Sequence, residues 1–286
     1  MVEVRIDDNS GFCFGVVRAI GEAEQALKAM GEVYSLGDIV HNRVEVQRLE
    51  ELGLRTVTHD DMATLGGRTL LVRAHGEPPR TYLRAKELGI NVIDATCPVV
   101  ARLQRRLREA YDKMQRVGGS VVLLGKRGHA EVIGLTGQVD DDVTVVEGFD
   151  DLTAVDFNRP IYLLSQTTQS IDLFHRLAEE IRSRAKEGVE VTIDDTICRR
   201  VAGREALLEK FASSVDVVLF VAGRKSSNGR VLCDVCRRAN DRTYHIEEAS
   251  EIDTAWLDGA RSVGICGATS TPRWLMEEVA AALSRY

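Results

Sequence analysis

Three cysteines, Cys13, Cys97 and Cys198, occupy one slot in a pattern that recurs three times. Each follows a short apolar run ending in aspartate (VEVRIDD, INVID and VEVTIDD) and each precedes a helix-like segment (FGVVRAIGEAE, PVVARLQRRL and RRVAGREALL). In open α/β sheets such strand-to-helix junctions are where ligands bind, and a helix N-terminus favours anions, thiolates among them. Three thiolates meeting at one point would hold a metal or a cluster. Structural zinc takes four protein ligands, so three point to a catalytic zinc or to an iron–sulfur cluster with one iron left open. Burial as a free thiol is the ordinary reading of any single cysteine. The shared slot argues against it for all three.

A second set is polar. His41 (DIVHN), His75 (RAHGEPP), His129 and Glu131 (GKRGHAEV), Thr167 and Thr168 (SQTTQS), Ser226, Ser227 and Asn228 (GRKSSNGR) and Ser270 (GATSTP) each stand just before a helical stretch. Neutral donors at several helix N-termini, brought to one cavity, suit phosphate or diphosphate. Arg73, Arg224 and Lys225 would add positive potential. Taken singly, the Ser, Thr and Asn residues are explained by helix capping. Glu131 is the one acid of the set. Beside an anionic ligand its carboxyl would hold its proton to higher pH and serve as a donor near neutrality. A solvated first-turn glutamate is the plain alternative.

The elements that must position these residues alternate. Six further strand-like runs (EVYSL, RTLLVRA, VVLLG, PIYLLS, DVVLFVAG and RSVGICG) are each followed by a polar loop and a helical stretch, which predicts an α/β fold with parallel-rich sheets. His41, His129 and Ser227 follow the three cysteines by 28, 32 and 29 residues, and His75, Thr167 and Ser270 by 62, 70 and 72. The spacing predicts three similar lobes of about 90 residues: 14–96, 97–193 and 194–286, with the strand in 1–13 joining the third. The C-x-x-C of Cys233 and Cys236 lies in a helical stretch and predicts packing rather than zinc. Cys266 reads as a core strand residue, and His59, His175 and His245 as chemically idle.

The 286 residues are 44% hydrophobic and 28% charged, ordinary for a soluble globular protein. A net charge of −7 argues against nucleic acid as a partner. No apolar run approaches the ~20 residues of a membrane span, and MVEVRIDDNS is no targeting leader. Six cysteines without such a leader predict a reducing, cytoplasmic setting and no disulfide framework. Neither G-x-G-x-x-G after a strand nor G-x-x-x-x-G-K-[ST] occurs, so electrons for a reduction would not come from a nucleotide held by this chain.

GFCFGVVRAI, HNRVEVQRLEELG, AHG, DATCPVV, GHAEVIGLTGQ, SQTT, DDTIC, KSSN and Ser270 before TP run in the order found in the LytB family of 4-hydroxy-3-methylbut-2-enyl diphosphate reductases, which the chain resembles over about residues 11–275. The resemblance implies three α/β lobes in pseudo-threefold arrangement around a central 4Fe–4S cluster. Cys13, Cys97 and Cys198 would be its ligands, and the fourth iron would be open to the substrate hydroxyl. It implies that His41, His75, His129, Thr167, Thr168, Ser226, Ser227, Asn228 and Ser270 bind the diphosphate substrate, and that Glu131, Thr167 and His129 relay protons. It further implies reductive loss of the allylic hydroxyl to give isopentenyl and dimethylallyl diphosphate, with ferredoxin or flavodoxin as donor to a monomer or weak homodimer. A non-redox 4Fe–4S hydro-lyase and a non-catalytic cluster or anion sensor are the rival readings. The chain departs from the family after the third cysteine, where RRVAGRE carries Val201, Ala202 and Gly203, and at Ala130, where proline is usual.

Overall fold

The structure, a computed structural model, describes residues 2–283 apart from the side chains of Ala202 and Ser227. Strand β1 (Glu3–Ile6) leads through Cys13 into α1 (Phe14–Met30). There follow β2 (Val33–Leu36), α2 (Arg43–Glu51), β3 (Leu54–Val57), β4 (Thr69–Val72), α3 (Pro79–Glu87) and β5 (Asn91–Asp94), which leads to Cys97. The second round runs α4 (Pro98–Val117), β6 (Ser120–Leu124), α5 (Ala130–Thr136), β7 (Thr144–Val146), β8 (Ile161–Ser165), α6 (Ile171–Arg184) and β9 (Val191–Ile193), which leads to Cys198. The third runs α7 (Arg199–Ala202), α8 (Arg204–Ala212), β10 (Val217–Val221), α9 (Ser227–Ala239), β11 (Thr243–Ile246), β12 (Ser262–Gly267) and α10 (Arg273–Leu283).

The strands form three four-stranded sheets. One has the order β1-β12-β10-β11, another β7-β6-β8-β9, and the remaining one holds β2 to β5. The first strand of the chain thus pairs with the last, Ile6 opposite Ile265. By contacts the chain gathers into two compact units, residues 1–56 with 203–286, and 57–202.

Parallel sheets covered on both faces need apolar residues at every position, and β10 shows why. Val217, Leu219 and Val221 pack with Leu275, Met276 and Val279 of α10. Val218 and Phe220 face the other way, onto Leu208 of α8 and Leu232, Cys233 and Cys236 of α9. In β6, Leu123 packs with Leu103, Leu107 and Met114 of α4. Its neighbours Val122 and Leu124 pack with Phe174, Leu177 and Ile181 of α6. The C-x-x-C pair is therefore core packing. Cys236 Sγ lies 3.9 Å from Cys266 Sγ, and burial pushes the Cys233 thiol up to about 11 and that of Cys266 well up too.

Three strands were not evident in the sequence: β3 (LRTV), β7 (TVV) and β11 (TYHI). They are three or four residues long, and β7 and β11 lie at sheet edges. Short edge strands bury one side only and carry polar residues, which erases the apolar signal. The segment after Cys198, expected as one helix, is two, because α7 stops before Gly203 and α8 starts after it.

Candidate active site

The three cysteines are delivered by one repeated device. Each follows a strand whose aspartate ties the ensuing loop: Asp7 Oδ2 accepts from Ser10 Oγ at 2.7 Å, Asp94 Oδ1 from the amide of Thr96 at 2.9 Å, and Asp195 Oδ1 from the amide of Ile197 at 3.1 Å. Short acceptors at such turns fix the loop locally. The cysteine amide then donates to a carbonyl just beyond the neighbouring strand: Cys13 to Thr269 at 3.1 Å, Cys97 to Ala74 at 3.0 Å and Cys198 to Thr167 at 2.8 Å. Cys13 and Cys97 stand at the N-caps of α1 and α4, Pro98 filling the first helical position. None of the three is in a disulfide, and all are half-buried.

These bonds correct the second spacing. Thr269, Ala74 and Thr167 are equivalent, so Thr168, not Thr167, shares the slot of His75 and Ser270, 71 residues after Cys97. The first slot belongs to Ser226, which caps α9 by accepting from the Gly229 amide at 3.0 Å, as His129 caps α5. The side chain of Ser227 lies outside the described residues.

In residues 57–202 the polar groups at the ends of β4, β6 and β8 form one connected cluster. The rings of His75 and His129 meet edge to face, 5.3 Å between centroids. Gly76, at φ 70°, makes the turn behind His75, and a Cβ there would also strike the Gln104 amide. His129 Nδ1 accepts the Glu131 amide at 3.2 Å. Gln166, 1% exposed, presents Oε1 to the Lys126 amide, so its Nε2 faces His129 Nδ1 at 3.2 Å and Thr168 Oγ1 at 3.0 Å. Two donors at Nδ1 make it the acceptor, which puts the ring proton on Nε2. Sequence reasoning missed Gln166, whose only signal was its place inside SQTT.

Glu131 is 2% exposed. Its Oε1 accepts the Thr167 amide at 2.7 Å and its Oε2 the Thr167 hydroxyl at 2.8 Å. Burial pushes the carboxyl up to about 7, against the opposing pull of the two Thr167 bonds. The solvated-glutamate alternative is thereby excluded.

In the other unit, Ser270 Oγ donates to Ser226 Oγ at 3.2 Å. Asn228 Oδ1 accepts from Thr269, hydroxyl at 3.0 Å and amide at 3.3 Å. Asn228 thus spends its oxygen on the protein. His41 ends the loop after β2, its carbonyl so close to Gly223 that a Cβ there would overlap it. Arg224, expected to add positive potential, instead pairs with Glu247 and Glu251.

A cluster site is tested by Arg204, the first residue of α8. Its Nη1 is buried with no hydrogen-bond partner among the described residues. Burial lowers the guanidinium's proton affinity, against the opposing charges of Cys13 and Asp7. A half-buried cation with a buried, unspent donor beside a cysteine suits a thiolate ligand and a negatively charged group held by it. The residues fit.

The profile of the LytB protein family matches residues 4–284. The chain belongs to the LytB family. It is 54% identical over 280 residues to the 4-hydroxy-3-methylbut-2-enyl diphosphate reductase of Parabacteroides distasonis, covering 98% of this chain and 97% of that one. It is 42% identical to the same enzyme of Chlorobium luteolum, covering 98% of each. Two solved structures, an (E)-4-hydroxy-3-methyl-but-2-enyl diphosphate reductase and an E-1-hydroxy-2-methyl-but-2-enyl-4-diphosphate reductase, share the fold. One, described as the terminal enzyme of the non-mevalonate pathway, has a TM-score of 0.74 at 36% identity, with both chains fully covered. The other, from Plasmodium falciparum, has a TM-score of 0.87 at 25% identity, covering 99% of this chain and 88% of its own. Among the described residues no helix is long and apolar enough to cross a membrane.

Proposed function

We propose that the protein reduces 4-hydroxy-3-methylbut-2-enyl diphosphate to isopentenyl and dimethylallyl diphosphate. Two electrons and two protons convert the allylic C–OH to C–H and release water. The observation that carries the reading is Glu131, a buried carboxyl up near 7 and clamped by Thr167. A carboxyl that still holds its proton at neutrality can deliver it to a departing hydroxyl.

Cys13, Cys97 and Cys198 are the cluster ligands in this reading. When bound, a three-thiolate 4Fe–4S group supplies single electrons and an open iron as Lewis acid. The chain does the rest. His41, His75, His129, Thr168, Ser226, Ser227, Asn228 and Ser270 hold the diphosphate through neutral donors, and Glu131 passes its proton through the Thr167 hydroxyl. The lobes 14–96, 97–193 and 194–286, with 1–13 joining the last, are supported by the amide-to-carbonyl bond repeated at each cysteine. Ferredoxin or flavodoxin is the donor, and the cytoplasm the setting.

Anaerobically purified protein tests the reading: it should contain about four irons per chain, most of them lost in Cys13→Ser, and turn over only with a reductant. One zinc and no iron would end the cluster assignment. Turnover without reductant would make the enzyme a hydro-lyase.

A further inference from the structure

We propose that the buried Glu77 carboxylate, tied to His59 and Thr81, is a positioning group that holds the His75 turn in place to bind diphosphate. This rests on the reductase reading, in which His75 serves the diphosphate. Among the described residues the buried glutamates are Glu45, Glu77 and Glu131, each shortly after a histidine of the diphosphate set, His41, His75 and His129. Glu131 carries the proton, and Glu45 is held by Nε and Nη2 of Arg48. Glu77 has no part in the reaction. Its one ion-pair partner among the described residues is His59, a histidine that reads as idle in the sequence.

The turn is pinned from two directions. On one side lies α5, where Gly134 lets the helix close on the turn: a Cβ there would stand 3.1 Å from the Gly76 carbonyl oxygen and 3.4 Å from that of His75. Gln138 Nε2 donates to the carbonyls of Glu77 at 3.2 Å and Gly134 at 2.8 Å, joining turn and helix. The other tie is the Glu77 side chain. The residue is 4% exposed, and its Oε2 lies 2.9 Å from His59 Nε2 and accepts the Thr81 hydroxyl of α3 at 3.1 Å. A buried carboxylate without a cation is driven toward water. Only Gly76 separates Glu77 from His75, so such a movement displaces the ring that meets His129. The Glu77 bond is the largest influence on the His59 ring and strengthens its hold on the proton, against burial, Arg73 and Arg80. The other charges near His59 are spent: Asp61 accepts from Thr58, Arg80 pairs with Asp141, and Arg84 with Glu87. Protonated, His59 gives Glu77 an ion pair; neutral, it gives one ordinary hydrogen bond. The tie is therefore strongest below the ring's raised pKa and weakens as pH rises through it.

Iron-loaded protein titrated calorimetrically with inorganic pyrophosphate tests the proposal. The His59 side chain is 55% exposed, so its replacement opens no core. His59→Ala should weaken the pyrophosphate Kd about threefold to tenfold near pH 6. His59→Gln, which can still donate to Glu77, should recover part of that loss. The KM for the allylic diphosphate should rise with the Kd while kcat holds, since the contact serves ground and transition state alike. The ratio of the His59→Gln Kd to that of wild type should fall toward unity between about pH 6 and pH 9. The other titrating groups of the site and of pyrophosphate are common to both proteins and cancel. Amide exchange over residues 73–80 should quicken in His59→Ala. Arg84→Gln, on the same pocket wall as His59, should change neither Kd nor exchange. The proposal is overturned if His59→Ala binds pyrophosphate like wild type, if Arg84→Gln weakens binding equally, or if the Kd ratio does not move with pH. A wild type that binds no pyrophosphate would instead sink the diphosphate reading, while exchange over residues 73–80 would still decide whether the pair holds the turn.

Discussion

Glu131 concentrates the residue-scale argument, since one carboxyl is hidden from water and held by two bonds from a single threonine. Positioned acids contribute roughly 10²- to 10⁴-fold to rate. Glu131→Gln should therefore lower kcat by about that factor with KM little changed, and the fall of wild-type kcat above about pH 7 should vanish from the variant's pH profile. Stability should carry the same signature. The carboxyl releases its proton near 4.5 in the unfolded chain and near 7 in the folded one. Its contribution to folding is fully present below pH 4.5 and is lost as pH rises through 7, a swing on the order of 3 kcal/mol. Thermal melts should show Glu131→Gln gaining on wild type from pH 5 to pH 8; a difference that does not change with pH would contradict the buried acid. The residue type and its place in GHAEV were legible in the sequence. Its burial was not, because that depends on Thr167, 36 residues away.

At the scale of elements, the site is built where strands stop. Gln166 after β8, His129 at the cap of α5 and Ser226 at the cap of α9 each spend a polar atom on the backbone, accepting the amides of Lys126, Glu131 and Gly229. Gly223 makes such an arrangement possible after β10 by letting the His41 carbonyl lie against it. Gly223→Ala forces backbone apart, so we expect a loss of about 1–3 kcal/mol in urea unfolding and weaker binding of pyrophosphate. Cap removal in Ser226→Ala should cost about 1 kcal/mol, with a further loss in pyrophosphate affinity because Ser270 then loses its partner. The nine strand runs and the α/β alternation could be read directly: the six interior strands leave continuous hydrophobic signals, and β1, β5 and β9 are marked by β-branched residues before an aspartate. The short edge strands β3, β7 and β11 could not, nor could the break at Gly203.

For the whole molecule, the pairing of β1 with β12 closes the third sheet with the other end of the chain. Deleting residues 2–6 would strip the four-residue ladder from β12 and loosen the loop that carries Cys13. We expect a markedly lower melting temperature and iron loss resembling that of Cys13→Ser. Unchanged melting would show that β1 adds nothing to the sheet. The sequence by itself determined the chemistry available: three cysteines in one repeated slot, a set of neutral donors at strand ends, one acid among them, and the family to which the motifs belong. Those properties are local, written in residue type and spacing. Only the tertiary structure decided which of them act together. It gave the slot of His75 to Thr168, put Gln166 behind His129, neutralised Arg224, and set a half-buried Arg204 beside Cys13. Each of these depends on contacts between segments distant in sequence, where burial and hydrogen-bond geometry fix a side chain's charge and direction.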